Sequence, residues 1–161
     1  MGIEIERKFL MKNDDWKAHV TETHLIKQGY LQSGLDPSQK SSVRIRISNK
    51  QANINVKSAE LSAVRQEYEY DIPLHDAEQM LMTLCNGAII EKTRYFVPYG
   101  SHLWEIDVFS GANAGLKMAE VELSRLEEHF ERPDWLGEEV SHDKRYYNNY
   151  LVKTPYSNWS V

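Results

Sequence analysis

Met1-Gly2-Ile3-Glu4-Ile5-Glu6-Arg7-Lys8-Phe9-Leu10 is the stretch that decides how this chain folds. Apolar and charged residues alternate with a period close to two. A strand therefore sets Glu4, Glu6 and Lys8 on one face and Ile3, Ile5 and Phe9 on the other. Successive carboxylates on that face stand roughly 7 Å apart, close enough to repel each other or to share a cation. One such pair is compatible with a plain solvated surface. Its recurrence along the chain is what carries information.

Seven further segments read as strands, and most repeat the device. After Thr23 to Ser33 comes Ser42-Val43-Arg44-Ile45-Arg46-Ile47-Ser48, with both arginines on one face. Asn53, Asn55 and Lys57 then share a face opposite Ile54 and Val56, and Arg65, Glu67, Glu69 and Asp71 share one opposite Tyr68, Tyr70 and Ile72. Ile89 to Val97 puts Lys92 and Arg94 in phase, Leu103 to Phe109 does so for Glu105 and Asp107, and Met118 to Leu123 for Glu120 and Glu122. Helices are expected at 13–20, from His75 to Cys85 with Asn86-Gly87 as a left-handed cap, and in two C-terminal pieces. Those pieces are Pro133 to Val140 and Ser141 to Val152, the second with Ser141 as N-cap. Residues 154–161 read as a loose tail. Short turns between most strands favour antiparallel pairing, and closure removes exposed edges. The expected fold is α+β: an eight-stranded antiparallel barrel with flanking helices and a helical C-terminus, in one domain over 1–161.

Glu4/Glu6, Arg44/Arg46, Glu67/Glu69, Lys92/Arg94, Glu105/Asp107 and Glu120/Glu122 make six same-sign pairs at i and i+2. Solvated faces normally mix signs, because like neighbours cost a few tenths of a kcal/mol each. The opposite faces are rich in Ile, Val, Leu, Trp and Tyr, so they pack outward under helices. The charged faces then line a tunnel. Charges removed from water need partners. Either acidic and basic strands neutralise one another as a structural lattice, or a ligand satisfies both. A triphosphate with Mg²⁺ or Mn²⁺ meets that second demand: guanidinium forks match phosphate oxygens, and hard carboxylate oxygens suit these cations. No glycine-rich phosphate loop is present, so side chains must do the holding.

Of the 161 residues, 41% are hydrophobic and 27% charged, ordinary proportions for a folded soluble chain, and the net charge of -5 disfavours a nucleic-acid surface. No apolar run long enough for a membrane span occurs, and the direct start on a strand points to a cytoplasmic protein. Cys85, the single cysteine, reads as buried filler on the apolar side of a helix. His19, His24, His75, His102, His129 and His142 show no metal spacing, and Arg125 and Lys144 read as surface cations.

Glu4-Ile5-Glu6-Arg7-Lys8 resembles the ExExK signature of the CYTH domain, the triphosphate tunnel metalloenzymes. The likeness runs on in order through Arg44-Ile45-Arg46, Lys57, Arg65-Gln66-Glu67-Tyr68-Glu69, Lys92-Thr93-Arg94, Glu105-Ile106-Asp107, Gly115 to Glu122 and Gly137-Glu138-Glu139-Val140-Ser141, with Asp143, Tyr146 and Asn148 or Asn149 behind. The resemblance implies metal-dependent hydrolysis of the terminal phosphate of a linear triphosphate, inorganic tripolyphosphate first. Class IV-type adenylate cyclase, thiamine triphosphatase and a non-catalytic polyphosphate-binding module are the alternatives. It implies Glu4, Glu6 and Glu122 as metal ligands with Glu120 as a fourth, and a phosphate clamp of Lys8, Arg44, Arg46, Lys57, Lys92 and Arg94. Lys8, Glu4, Glu6 and Glu122 form the expected catalytic set. Glu67, Glu69, Glu105 and Asp107 bind a second metal, orient water or balance the basic strands. Asn55 departs from the Thr common in relatives, and the Leu-Gly that marks the cyclase branch is missing. The expected partner is a small-molecule triphosphate, with no nucleic acid or membrane, for a monomer or homodimer.

Overall fold

The computed structural model describes residues 2–60 and 62–159. Nine strands form one antiparallel sheet: β1 Ile3–Met11, β2 Glu22–Gln32, β3 Ser41–Ser48, β4 Gln51–Ser58, β5 Val64–Ile72, β6 Asn86–Tyr99, β7 His102–Ser110, β8 Lys117–Glu122 and β9 Leu136–Glu139. The first eight close a barrel in the order β5-β4-β3-β2-β6-β7-β8-β1, sealed by pairing of β1 with β5 through Glu4 opposite Arg65. Neighbours in sequence are mostly neighbours in the sheet. Of the three exceptions, β1 to β2 and β5 to β6 carry helical turns, a 3-10 turn at Asp15–His19 and helix α1, Leu74–Thr83, and β8 to β9 skips over β1.

Period-two alternation sorts the side chains. Outside β6, β7, β8 and β1 lies a core of Phe9, Trp104, Ile106, Val121, Phe130 and Trp135, with Trp16 of the 3-10 turn fully buried in it. Edge-to-face contacts of Trp104 with Phe9 and Phe130, each at 5.7 Å, lock this layer. Each large apolar side chain so buried contributes about 1.5–3 kcal/mol. On the opposite side, α1 sets Ala77 and Leu81 on Ile45 and Ala52. A third cluster, Tyr30, Ile90, Phe109, Met118, Leu151 and Val152, sits at one end of the barrel.

The C-terminal third departs from the sequence expectation. Pro133 to Val140 is not a helix: Leu136–Glu139 is β9, which pairs with the end of β1 where β5 no longer reaches. Arg7 clamps it, its Nε and Nη2 donating to Glu139 at 2.9 and 2.6 Å. A free edge on β1 outweighs the local helical tendency of this segment. Ser141 to Val152 is two short turns, Lys144–Tyr146 and helix α2, Asn148–Leu151. Ser141 caps neither; its Oγ accepts from the Lys8 backbone at 2.9 Å and donates to Glu139 at 2.8 Å. The 13–20 segment shortens to its single 3-10 turn. The expected loose tail is ordered through Trp159, which packs on Tyr146 and Tyr156 at 5.1 and 5.0 Å, while 160–161 lie outside the described residues. Cys85 follows α1 instead of lying on it, and it is only half-buried.

Candidate active site

Closure of the barrel brings the same-sign pairs onto opposite walls. Going round the sheet, β4, β3 and β6 contribute Lys57, Arg44, Arg46 and Arg94, and β7, β8, β1 and β5 contribute Glu105, Glu120, Glu122, Glu4, Glu6, Glu67 and Glu69. Lys8 and Arg65 are the cations on the acidic side. These side chains, with Tyr30, Ser42, Asn55 and Tyr147 to Asn149, line a cavity of about 270 Å³ inside the barrel. Neither histidine nor cysteine is among them. A larger cleft of about 750 Å³ lies outside the barrel between α1, β2 and β6, with mainly apolar walls.

Some expected site residues are paired. Lys57 donates to Glu4 at 2.8 Å and Lys8 to Glu120 at 2.9 Å. Arg94 spans Asp107 at 2.7 Å and Glu105 at 2.5 Å. Asn55 Nδ2 donates to Glu67 at 3.1 Å and to Glu69 at 2.8 Å, so its amide holds those carboxylates together. Lys92 and Asp107 are placed differently from the rest: joined at 2.7 Å with both side chains wholly buried, they stand behind the cavity wall and brace Arg94. Glu122 is exposed, at the rim.

The pairing leaves each wall overcharged. Among the described residues Arg46 meets no carboxylate; its Nε donates to Gln28 at 2.8 Å, and burial beside Arg44 and Arg94 pulls its guanidinium down to about 9. Arg44 keeps a buried Nε with no hydrogen-bond partner among the described residues, and its nearest carboxylate, Glu69, is 3.7 Å away. Across the cavity, burial and the proximity of Glu120 and Glu4 push the Glu6 carboxyl well above the usual range. Glu4 is raised as well, chiefly by burial, and Glu122, though exposed at the rim, is raised by partial loss of water and by the nearby Glu4 and Glu105 carboxylates. Glu120 is the opposite case: burial opposes its charge, yet Lys8 and Arg94 outweigh it and hold it well below the ordinary value. One wall lacks an anion and the other lacks a cation.

The acidic set tests well against a divalent ion. Its donors are carboxylate oxygens alone, hard ligands of the kind that Mg²⁺ and Mn²⁺ take, and three of them are destabilised as anions in its absence. Among the described residues no three or more His, Cys, Asp or Glu side chains form a ready-made cage.

Sequence reasoning missed several lining residues. Arg65 was legible, being in phase with Glu67 and Glu69. Tyr30 and Ser42 share the inward face of their strands with Gln28 and Arg44. Tyr147, Asn148 and Asn149 carry no periodicity, the family resemblance alone having touched Asn148 or Asn149, and they reach the cavity because the C-terminal segment folds back across the barrel end.

Comparison with known proteins agrees with this geometry. An inorganic triphosphatase of Acetivibrio thermocellus is 42% identical over 159 residues, 99% of either chain. One of Nitrosomonas europaea is 39% identical, over 92% of this chain and 96% of its own. A crystal structure described as an inorganic triphosphatase superposes with a TM-score of 0.64 at 34% identity, covering 92% of this chain and 93% of that one. The family model for the CYTH domain matches residues 2–147. The chain belongs to the CYTH domain family.

Proposed function

We propose that the protein hydrolyses the terminal phosphate of a linear triphosphate, inorganic tripolyphosphate above all, with Mg²⁺ or Mn²⁺ bound by Glu4, Glu6 and Glu122 of the acidic wall. The observation that carries this reading is the double imbalance of the cavity: Arg46, with no carboxylate partner among the described residues, and Arg44, with an unsatisfied Nε, face carboxylates held together without enough positive charge. A self-neutralising lattice would leave neither. The names of the relatives point the same way.

In this reading Arg44, Arg46, Lys57 and Arg94 hold the phosphoryl oxygens. Arg46 is the best prepared: its Nε is spent on Gln28, which leaves the terminal nitrogens to form a fork on the ligand. Lys92 and Asp107 support this wall from behind. Lys8 keeps Glu120 ionised and in place. A divalent ion, when bound, supplies further neutralisation of the phosphoryl charge. Hydrolysis makes water the nucleophile, and Glu67, Glu69 and Glu105 are carboxylates on the lining that can accept its hydrogen bond. Catalysis is then mainly positioning and charge stabilisation, which suffices for a loose phosphoryl transition state. The same reading takes the protein as a cytoplasmic monomer or homodimer acting on a small molecule.

The test is phosphate release from tripolyphosphate, ATP and thiamine triphosphate with each cation, alongside assay for cyclic AMP. Turnover of tripolyphosphate at the highest kcat/KM is the expected result. Metal-dependent binding of all three compounds with no phosphate release would leave only a binding module.

A further inference from the structure

The inner end of the cavity is formed by a side chain that the hydrolysis described above does not use. Asn148, at the start of α2, lines the cavity, and its Oδ1 accepts hydrogen bonds from Lys92 Nζ at 3.1 Å and from Gln28 Nε2 at 3.2 Å. Arg46, which can only donate, takes the Gln28 oxygen, so Gln28 turns its NH₂ to Asn148 and the atom that receives it must be the amide oxygen. Gln28 is completely buried and spends its own oxygen on Arg46. The Asn148 amide is therefore fixed in one orientation. Its Nδ2 points away from that pair and has no partner among the described residues.

Behind Asn148 the barrel is filled. Moving along β1, β6 and β7 toward this end, the inward series changes from Lys8 to Leu10, from Lys92 to Ile90 and from Asp107 to Phe109. Ile90 and Phe109 belong to an apolar cluster with Leu151 of α2, which is fully buried, and Leu10 packs against it. Asn149 ties the crossing segment to the end of β2 by donating to the Ser33 carbonyl at 2.9 Å. A charged chain cannot continue into that cluster, so the cavity has an end wall.

We propose that the tunnel is blind and that Asn148 reads the end of its substrate: Nδ2 donates to an oxygen of the terminal phosphate of a linear phosphate chain seated against it. Internal phosphates cannot reach the wall. Substrates must then own a free terminus, and cyclic phosphates are refused even though they carry the same phosphoanhydride groups. This inference rests on the triphosphate reading of the cavity, and it gives Asn148 a binding and specificity role outside the metal set and the phosphate clamp named above.

The experiment pairs wild-type protein and Asn148→Asp with tripolyphosphate and with cyclic trimetaphosphate, measuring binding by calorimetry in Mg²⁺ and, separately, steady-state hydrolysis. Aspartate keeps an oxygen for Lys92 and Gln28 but removes the donor and turns a negative charge on the ligand. Expected are tripolyphosphate affinity and KM worsened by about ten- to a hundredfold, the equivalent of one hydrogen bond to a charged group. The melting temperature should stay close to wild type, and trimetaphosphate should neither bind nor compete. Trimetaphosphate binding as tightly as tripolyphosphate, or an unchanged affinity and KM in a folded Asn148→Asp, overturns the proposal. If that variant does not fold, the cyclic compound against wild-type protein still decides. Binding with end selectivity but no hydrolysis would sink the enzymatic reading alone, and hydrolysis without end selectivity would sink this one alone.

Discussion

Replacing Arg46 by methionine should stabilise the ligand-free protein while destroying its response to triphosphate. Among the described residues Arg46 lies beside Arg44 and Arg94 with no carboxylate of its own, and its guanidinium is pulled well below its ordinary value, to about 9. At 1.36 kcal/mol per pH unit that depression corresponds to an upper figure of about 5 kcal/mol held against the folded state. Arg46 keeps some solvent contact, and the substitution orphans the Gln28 carbonyl at a cost of about 1–2 kcal/mol. A net gain of about 1–3 kcal/mol remains, which for a chain of this size raises Tm by roughly 3–8 °C. The assay is thermal unfolding with and without tripolyphosphate and Mg²⁺. Wild-type protein at a hundredfold excess over Kd should gain about 2.7 kcal/mol, whereas Arg46→Met should gain almost nothing. Linkage gives a second handle. A base whose folded value is depressed leaves the unfolded chain holding more protons above about pH 9, so the Arg46 penalty is full below 9 and fades as pH rises beyond it. A fall in the ligand-free Tm of Arg46→Met would refute the reasoning, because it would mean that the charges stabilise the fold as a lattice and await no anion.

Four further outcomes are expected. Glu6→Gln should lower metal-dependent turnover by more than about a hundredfold and weaken Mn²⁺ binding in calorimetry, since a neutral amide replaces the carboxylate that its neighbours most destabilise. Chelation of divalent ions should stop phosphate release yet leave the circular dichroism spectrum unchanged, because the barrel is held by its ladders and cores. Glu139→Gln should cost about 1–2 kcal/mol by breaking the paired hydrogen bonds from Arg7; the Arg7 and Ser141 donors hold its carboxyl below the usual value, so this contribution is present above about pH 4.5 and is lost as pH falls through the folded value, which urea denaturation at several pH values can follow. Gly137→Ala should destabilise β9 by about 1–3 kcal/mol, since a Cβ there would sit 2.8 Å from the Leu10 carbonyl oxygen, a backbone atom that cannot step aside; hydrogen exchange at Val140, which donates to the Lys8 carbonyl, would report the loosening.

The amino-acid sequence by itself determined the eight barrel strands and which face of each turns inward, because a strand has only two faces and the alternation of Glu4, Glu6, Lys8 or of Arg44, Arg46 leaves one answer for which face carries the charge. It also pointed to nearly all the charged residues that line the cavity. Tertiary structure decided what depends on long-range pairing: that Leu136–Glu139 becomes a strand because the edge of β1 is vacant beside it, that Lys92 and Asp107 stand behind the wall, and that Glu120 is neutralised while Glu6 is not. Tyr147 to Asn149 belong to that second group, since a short irregular segment has no period to betray its inward face. Local pattern tells which side of a ribbon faces in; only closure of the ribbon into a barrel tells which charges meet, and the energy of a buried charge depends on who it meets.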